Sequence, residues 1–219
     1  MKKFILSLST IAFLACGTPQ SANEDAGKTT ASDSIAESQK EAPKNCDFVY
    51  DAANTTVGFG AFKTTAKAEV KGAFESFDVL NTKVGTDASE VFGEATFIVY
   101  VNSLETKDAG RNTRIKEHFF NSFSIPDSLT GKVISIEGDS IKIALTMNGI
   151  SKDVMLSYQQ TENTVDLAGT INVLNWDASK GLAALNKACE DLHKGADGVS
   201  KTWADVNLYI SSTLKEKCN

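Results

Sequence analysis

The sequence has few of the residues that build metal centres, disulfide scaffolds and nucleic-acid surfaces. Its 219 residues include two histidines and four cysteines, too few for a multi-histidine metal centre or a small disulfide-built fold. The net charge is −6, which argues against a nucleic-acid partner because phosphate binding needs a basic face. With three prolines, 42% hydrophobic and 23% charged residues, the composition is typical of a globular protein rather than a disordered or collagen-like chain.

The first sixteen residues have the organisation of a bacterial signal peptide. A charged start, Met1–Lys3, precedes an apolar run of twelve residues, Phe4–Ala15. That run is too short to span a bilayer, which takes about 20 residues, so residues 1–16 are predicted to be a signal peptide. Cys16 follows Leu14-Ala15 as the acylated cysteine does in a lipobox, which predicts a lipid anchor at Cys16. The alternative is ordinary cleavage after Ala15.

A polar segment separates this signal from the rest of the chain. Residues 17–45 contain no aromatic residue and one large aliphatic residue, Ile35, so they are predicted to form a disordered tether. With an acylated Cys16, the protein is expected in the bacterial cell envelope. The absence of Asp at position 17 permits the expected location, the outer membrane, with the protein facing the periplasm.

Residues 46–219 alternate between apolar and polar side chains over most of their length, which indicates β-strands. Asn112 and Asp177 are each placed to cap a helix. We therefore predict an all-β domain with helical insertions, closed either as a sandwich or as a barrel; a barrel of about eight strands encloses room for a small ligand. The clearest alternating segments are 140–147, 165–173 and 203–210.

Three cysteines remain after Cys16, so at least one of them is unpaired. Cys46 precedes the first predicted strand and Cys218 follows the last. In a closed antiparallel barrel whose first and last strands pair, these two cysteines lie side by side, which makes a Cys46–Cys218 disulfide the candidate pairing. Connectivity cannot be deduced from sequence, and pairings that use Cys189 stay open.

Four segments together resemble the YceI family of lipid-binding periplasmic proteins. They are Val70–Phe77, Ser103–Phe120, Leu145–Val154 and Leu185–Val206. The resemblance implies an eight-stranded antiparallel lipocalin-like barrel over residues 46–219 that holds an isoprenoid lipid, of the quinone or polyprenyl type. Such a protein would be a carrier or reservoir for a bound lipid, without catalysis or a further cofactor. The sequence makes no prediction of oligomeric state.

Within this resemblance, six phenylalanines are candidates to line the lipid tunnel, although each could instead fill an ordinary core. Arg111 and Arg114 are candidate head-group residues. In the family an acidic residue usually follows the arginine, whereas Ile115 follows Arg114 here. The alternative is that the two arginines pair with Asp108 or Glu117 on the surface. The tunnel candidates are Phe59, Phe62, Phe74, Phe97, Phe119 and Phe120.

Catalytic motifs are absent: the chain has no Gly-x-Ser-x-Gly elbow, phosphate-cradling glycine loop or dinucleotide fingerprint. The one compact reactive group contains Cys189 and His193, four residues apart and therefore on one face of a helix. With Asp191 or Asp197 they could hold a metal, or His193 could activate the thiol. A metal- or thiol-dependent envelope enzyme is the alternative function, and a buried cysteine beside a hydrogen-bonded histidine is the structural alternative.

Overall fold

The computed structural model describes residues 46–218; the predicted signal peptide, the anchor at Cys16 and the tether lie outside that range. The described chain is mostly β-strand with three short α-helices, α1 (Ala88–Phe92), α2 (Ala109–Arg114) and α3 (Ser179–Ala188). No helix in this range is long and apolar enough to cross a membrane. The strands are β1 (Cys46–Val49), β2 (Thr55–Lys63), β3 (Ala68–Phe74), β4 (Phe77–Leu80), β5 (Thr96–Tyr100), β6 (Leu104–Glu105), β7 (Ser128–Glu137), β8 (Ser140–Met147), β9 (Ile150–Thr161), β10 (Thr164–Asn172), β11 (Thr202–Thr213) and β12 (Lys215–Cys218).

Ten of the strands form one antiparallel sheet in the order β4-β5-β7-β8-β9-β10-β11-β2-β3-β6, and β1 pairs with β12 in a separate two-stranded ribbon. The sheet therefore has ten strands, whereas the resemblance to the YceI family implied eight. The difference arises because two runs are interrupted: β4 follows β3 after Glu75 and Ser76, and β6 follows β5 after the turn Val101–Ser103.

The edge strands β4 and β6 come from two neighbouring chain segments. β4 follows β3, which pairs with β6, and β6 follows β5, which pairs with β4. Phe74 of β3 is opposite Leu104 of β6, and Phe77 of β4 is opposite Val99 of β5. Between these pairs, the N–H of Glu75 donates to the carbonyl of Ser103 at 3.1 Å. The sheet consequently curls around a single apolar interior.

The two-residue period in the sequence correctly predicts which side chains face that interior. In β8, Ile141, Ile143, Leu145 and Met147 are buried, while the residues between them are only partly buried. The predicted mostly-β, antiparallel class with helical insertions is confirmed by this arrangement.

One end of the curled sheet is covered by the β1–β12 ribbon and α1. Phe48 of β1 exchanges backbone hydrogen bonds with Gly85 at 2.7 and 3.1 Å, which ties the ribbon to the segment before α1. Leu214, just before β12, is 1% exposed and packs with Val91 of α1. Cys46 and Cys218, opposite each other in the ribbon, are joined by a disulfide bond in the structure.

The opposite end is covered by α2, α3 and an aromatic cluster. After α2 the chain continues through a π-helical turn, Ile115–Phe119, and a 3-10 turn, Phe120–Ser122. The rings of Phe119, Phe120 and Phe123 contact one another with centroid separations of 5.0–5.5 Å. Gly181 of α3 lies so close to this segment that a Cβ there would approach the Phe119 carbonyl oxygen to 2.7 Å.

Both predicted helix caps are wrong. Asp108, not Asn112, caps α2, since its carboxylate accepts from the N–H of Arg111 at 2.9 Å. The Asn112 side chain is buried and accepts from both the N–H and the hydroxyl of Thr106. Asp177 ends a 3-10 turn in the left-handed conformation, with φ of 54°, and α3 begins two residues later.

Candidate functional site

An apolar cavity of about 180 Å³ lies inside the curled sheet; we call it the inner cavity. Every strand from β2 to β11 except β6 contributes side chains to its wall, and most of these are aliphatic or phenylalanine side chains. A space with such a wall favours an apolar occupant and offers it few hydrogen bonds. Lining residues from well-separated strands include Phe59, Phe74, Phe97, Ile143, Leu167 and Leu208.

The few polar groups of the inner cavity lie at the end nearest the β1–β12 ribbon. The hydroxyls of Thr55 and Ser212 are 2.8 Å apart and bond to each other. Tyr50 also lines this end, and burial raises the pKa of its phenol above the ordinary value. This end therefore presents neutral hydroxyl groups.

Two of the lining phenylalanines lie over glycines on the neighbouring strand. Phe59 is opposite Gly72, and Phe97 is opposite Gly131. A Cβ at either glycine would collide with the phenylalanine ring across from it. The missing side chains thus allow both rings to lie flat along the cavity wall.

A second cavity, of about 130 Å³, lies at the α2–α3 end of the sheet; we call it the outer cavity. Phe59 lines both cavities, so they are neighbours at this residue. Unlike the inner cavity, the outer one has several charged and polar groups in its wall. Its polar lining residues are Lys63, Asp108, Arg111, Arg114, His193 and Thr202.

The two arginines of the outer cavity differ in their partners. A guanidinium nitrogen of Arg111 lies 3.4 Å from a carboxylate oxygen of Asp108, so the pair suggested by the sequence is present but long. Arg114 forms no ion pair with any residue from 46 to 218, and Glu117 is not its partner. Its Nε is buried and has no hydrogen-bond partner in that range.

These positive charges influence the histidine in the same wall. Burial, followed by the charges of Lys63, Arg114 and Arg111, lowers the pKa of His193 below 6.5. Its Nδ1 is 2.7 Å from the hydroxyl of Thr202. His193 is therefore held neutral at physiological pH, and it is fixed in place by a neighbour on β11.

The predicted tunnel residues are divided among three places. Phe59, Phe74 and Phe97 line the inner cavity, and Phe62 lines the outer one. Phe119 and Phe120 are in the wall of neither of these two cavities, and their assignment to the tunnel stays a prediction. They are buried in the aromatic cluster with Phe123 that covers the α2–α3 end.

The outer cavity also unites two groups that the sequence analysis treated separately, the arginines of α2 and the pair Cys189 and His193 at the end of α3. Sequence reasoning did not identify Lys63 or Thr202. These two are opposite each other where β2 ends and β11 begins. The only signal for them was therefore the register between strands more than a hundred residues apart.

Among residues 46–218, no carboxylate joins Cys189 and His193 as a third metal ligand. Asp191 is paired with Lys194 at 2.7 Å, and Asp197 accepts from the hydroxyl of Thr65 at 2.7 Å. Within residues 46–218, three candidate metal ligands lie close together at Cys46, Glu216 and Cys218. Their two sulfurs are bonded to each other in the disulfide. Cys189 is a buried free thiol.

Comparison with known proteins places this architecture among described relatives. Residues 48–211 match the family model described as a YceI-like domain. The UPF0312 protein SA2479 of Staphylococcus aureus is 29% identical over 143 residues, which cover 59% of this chain and 81% of that protein.

Two solved structures share the fold. A polyisoprenoid binding domain from Saccharophagus degradans, implicated in plant cell wall breakdown, has a TM-score of 0.54 at 15% identity, covering 80% of this chain and 99% of that one. BcnA of Burkholderia cenocepacia has a TM-score of 0.53 at 17% identity, covering 76% and 99%. At such identities the likeness concerns the fold alone.

Proposed function

Since its residues 48–211 match that model, the chain belongs to the YceI-like family, and we propose that it binds an isoprenoid lipid of the quinone or polyprenyl type as a non-enzymatic carrier or reservoir. The observation that carries the proposal is the inner cavity, an apolar space inside the sheet. The Saccharophagus domain with the same fold is itself described as polyisoprenoid-binding, which supports the same ligand class.

The composition of the cavity wall suits a branched hydrocarbon chain. Each methylene that leaves water contributes roughly 0.8 kcal/mol, so a long chain binds tightly without specific polar contacts. The ring positions of Phe59 and Phe97 over Gly72 and Gly131 leave the centre of the sheet open. Selectivity for such a ligand comes from the shape and length of the cavity rather than from hydrogen bonds.

We also propose that Cys16 is acylated and tethers the domain to the bacterial envelope, at the outer membrane and facing the periplasm. The support is the short apolar run before Leu14-Ala15-Cys16 and the polar segment 17–45 after it. Replacing Cys16 by serine should release the protein from the membrane fraction. If membrane association is unchanged, the anchor is elsewhere.

Analysis of bound lipid tests the proposed function most directly. The protein should be expressed in a bacterial host, purified without detergent and divided between native mass spectrometry and organic extraction. We expect an adduct with the mass of a long isoprenoid and the same lipid in the extract. Protein that is empty and also fails to take up added isoprenoids would overturn the proposal.

A pair of tryptophan variants connects this binding to the inner cavity. Leu208 lines the cavity opposite Phe59, and Leu208→Trp would fill much of the space. Met155 is 58% exposed on the outer face of β9, so Met155→Trp is a matched control. We expect loss of lipid from the first variant and normal loading of the second; equal loading would exclude the inner cavity as the binding site.

A further inference from the structure

We propose that the outer cavity binds the phosphate head group of a lipid whose chain occupies the inner cavity, which makes the ligand an anionic isoprenoid phosphate rather than a neutral lipid. The inference rests on the lipid-binding function proposed above and specifies the polar end of that ligand. It is carried by the position of the outer cavity, which shares Phe59 with the inner one, and by the charges in its wall.

The distribution of arginine is the first argument. The chain has only two arginines, Arg111 and Arg114, and both line the outer cavity, whereas all its other basic residues apart from histidine are lysines. A guanidinium group presents a planar fork of donors that matches two oxygens of a phosphate, and it retains its charge when partly buried. Both groups of this kind in the protein therefore face one small space.

In the part of the chain that the structure describes, Arg114 also lacks both a hydrogen-bond acceptor for its Nε and a counter-ion for its charge. Its Nε is buried without a hydrogen-bond partner, and the guanidinium forms no ion pair within residues 46–218. A buried donor such as this Nε, which has lost its water and gained no acceptor, lowers stability, and the partly buried guanidinium around it has no counter-ion within residues 46–218. An oxyanion in the outer cavity would supply both the acceptor and the counter-ion.

The wall of the outer cavity carries more positive than negative charge. Lys63, Arg111 and Arg114 oppose one carboxylate, Asp108, and that carboxylate is already paired with Arg111. The wall is thus positive in a chain whose net charge is −6. His193 adds no charge here, and together with Thr202 it adds uncharged polar atoms to the wall.

The opposite end of the inner cavity does not offer the same chemistry. Tyr50, Thr55 and Ser212 are neutral; the last two bond to each other, and the buried Tyr50 hydroxyl, without a hydrogen-bond partner in residues 46–218, suits an uncharged polar group rather than a phosphate. A phosphate placed there would lose its water without gaining a counter-charge, which is strongly unfavourable. A neutral head group such as an alcohol or a quinone ring would have no comparable reason to prefer the arginine end.

A ligand that fills both cavities must pass the ring of Phe59. That ring lies over Gly72, where no side chain holds it from below, and it contacts Phe74 at a centroid separation of 5.5 Å. For one ligand to occupy both spaces, the Phe59 side chain has to move aside. The head group then remains among the arginines while the chain extends along the sheet.

Binding measurements with a matched pair of lipids test the inference. Full-length protein freed of lipid is titrated with farnesyl phosphate, with farnesol and with inorganic phosphate, by calorimetry. The same titrations are made on Arg114→Gln and on Lys152→Gln, a control that removes one positive charge from an exposed position on β9. We expect the wild type to bind farnesyl phosphate roughly 10- to 100-fold more tightly than farnesol, as one charged hydrogen bond implies.

The outcomes separate this inference from the function on which it rests. Arg114→Gln should lose most of the preference for the phosphate while its affinity for farnesol is unchanged, and Lys152→Gln should behave as wild type. Equal affinity for the two lipids would overturn the head-group assignment and leave the lipid-binding function standing. Failure of both lipids to bind would refute the function itself. Inorganic phosphate bound as tightly as farnesyl phosphate would identify a site for a free anion instead.

Discussion

Removing the Cys46–Cys218 disulfide should destabilise the whole domain, not only the β1–β12 ribbon. The bond closes a loop with a sequence separation of 172 residues. A loop of that length restricts the unfolded chain by about 5 kcal/mol in the chain-entropy model. For a domain of this size, each 1 kcal/mol corresponds to roughly 2–4 °C in Tm, so we expect a decrease of roughly 10–20 °C.

The measurement compares wild type with the double variant Cys46→Ser and Cys218→Ser by urea unfolding and by calorimetry. Dithiothreitol should lower the stability of the wild type to that of the variant and leave the variant unchanged, which separates loss of the bond from an effect of the serines. A decrease of less than about 1 kcal/mol in the free energy of unfolding of the variant would contradict this prediction. That result would mean either that the bond does not form or that the ribbon unfolds independently of the sheet.

Two further changes report on the core and on the outer cavity. The indole of Trp176, which is 1% exposed, donates to the carbonyl of Leu145 at 3.0 Å. Trp176→Phe leaves that carbonyl without its donor and should lower the free energy of unfolding by about 1–3 kcal/mol. A free energy of unfolding in urea equal to that of wild type would contradict this. Because burial and three nearby cations lower the pKa of His193, the folded chain binds its proton more weakly than the unfolded chain does. Stability should therefore fall as the pH drops below about 6.5, and His193→Gln should lack this component; an imidazole pKa of 6.5 or above by NMR would refute it.

The parts of the fold that follow from local periodicity could be predicted. In β8, each of the four alternating apolar residues from Ile141 to Met147 is buried, because a strand directs alternate side chains to one face. Cys46 and Cys218 are adjacent as the sequence predicted, although they pair in the separate β1–β12 ribbon and not beside the seam of a closed barrel. Such inferences need only the direction of a side chain along one strand or the order of the strands.

The number of strands and the contents of the site depend on contacts between distant segments. The interruption at Glu75 and Ser76 reflects a backbone bond to Ser103, which no pattern in the local sequence marks. Asn112 has the residue type of a helix cap, yet in the fold its side-chain oxygen accepts hydrogen bonds from Thr106 instead. A cap and a buried bridging amide require the same residue type, so only the packing of α2 distinguishes them.

The division of the phenylalanines has a similar cause. Phe119 ends the π-helical turn and Phe120 begins the 3-10 turn after it, and from there both rings contact Phe123 in the aromatic cluster. Phe59 and Phe97 face the inner cavity because of their places in the alternation of β2 and β5, and the glycine opposite each leaves room for its ring. Composition and periodicity assign all four residues to an interior, but they do not say which part of that interior is filled and which is left open.

A site of this kind leaves little trace in a search for motifs, and the reason is physical. Most of the inner cavity wall consists of aliphatic and phenylalanine side chains of the types that would fill an ordinary core, and its function lies in the volume that they leave empty. Packing to full density would be the more stable arrangement, since a cavity costs free energy in proportion to its size. A chain that keeps about 180 Å³ open inside its sheet, and places both of its arginines, on α2, in the wall of the adjoining cavity, has given up stability that a bound lipid with a charged head group would restore. Stability and ligand binding are therefore linked, and a bound lipid should raise the Tm of the domain by mass action.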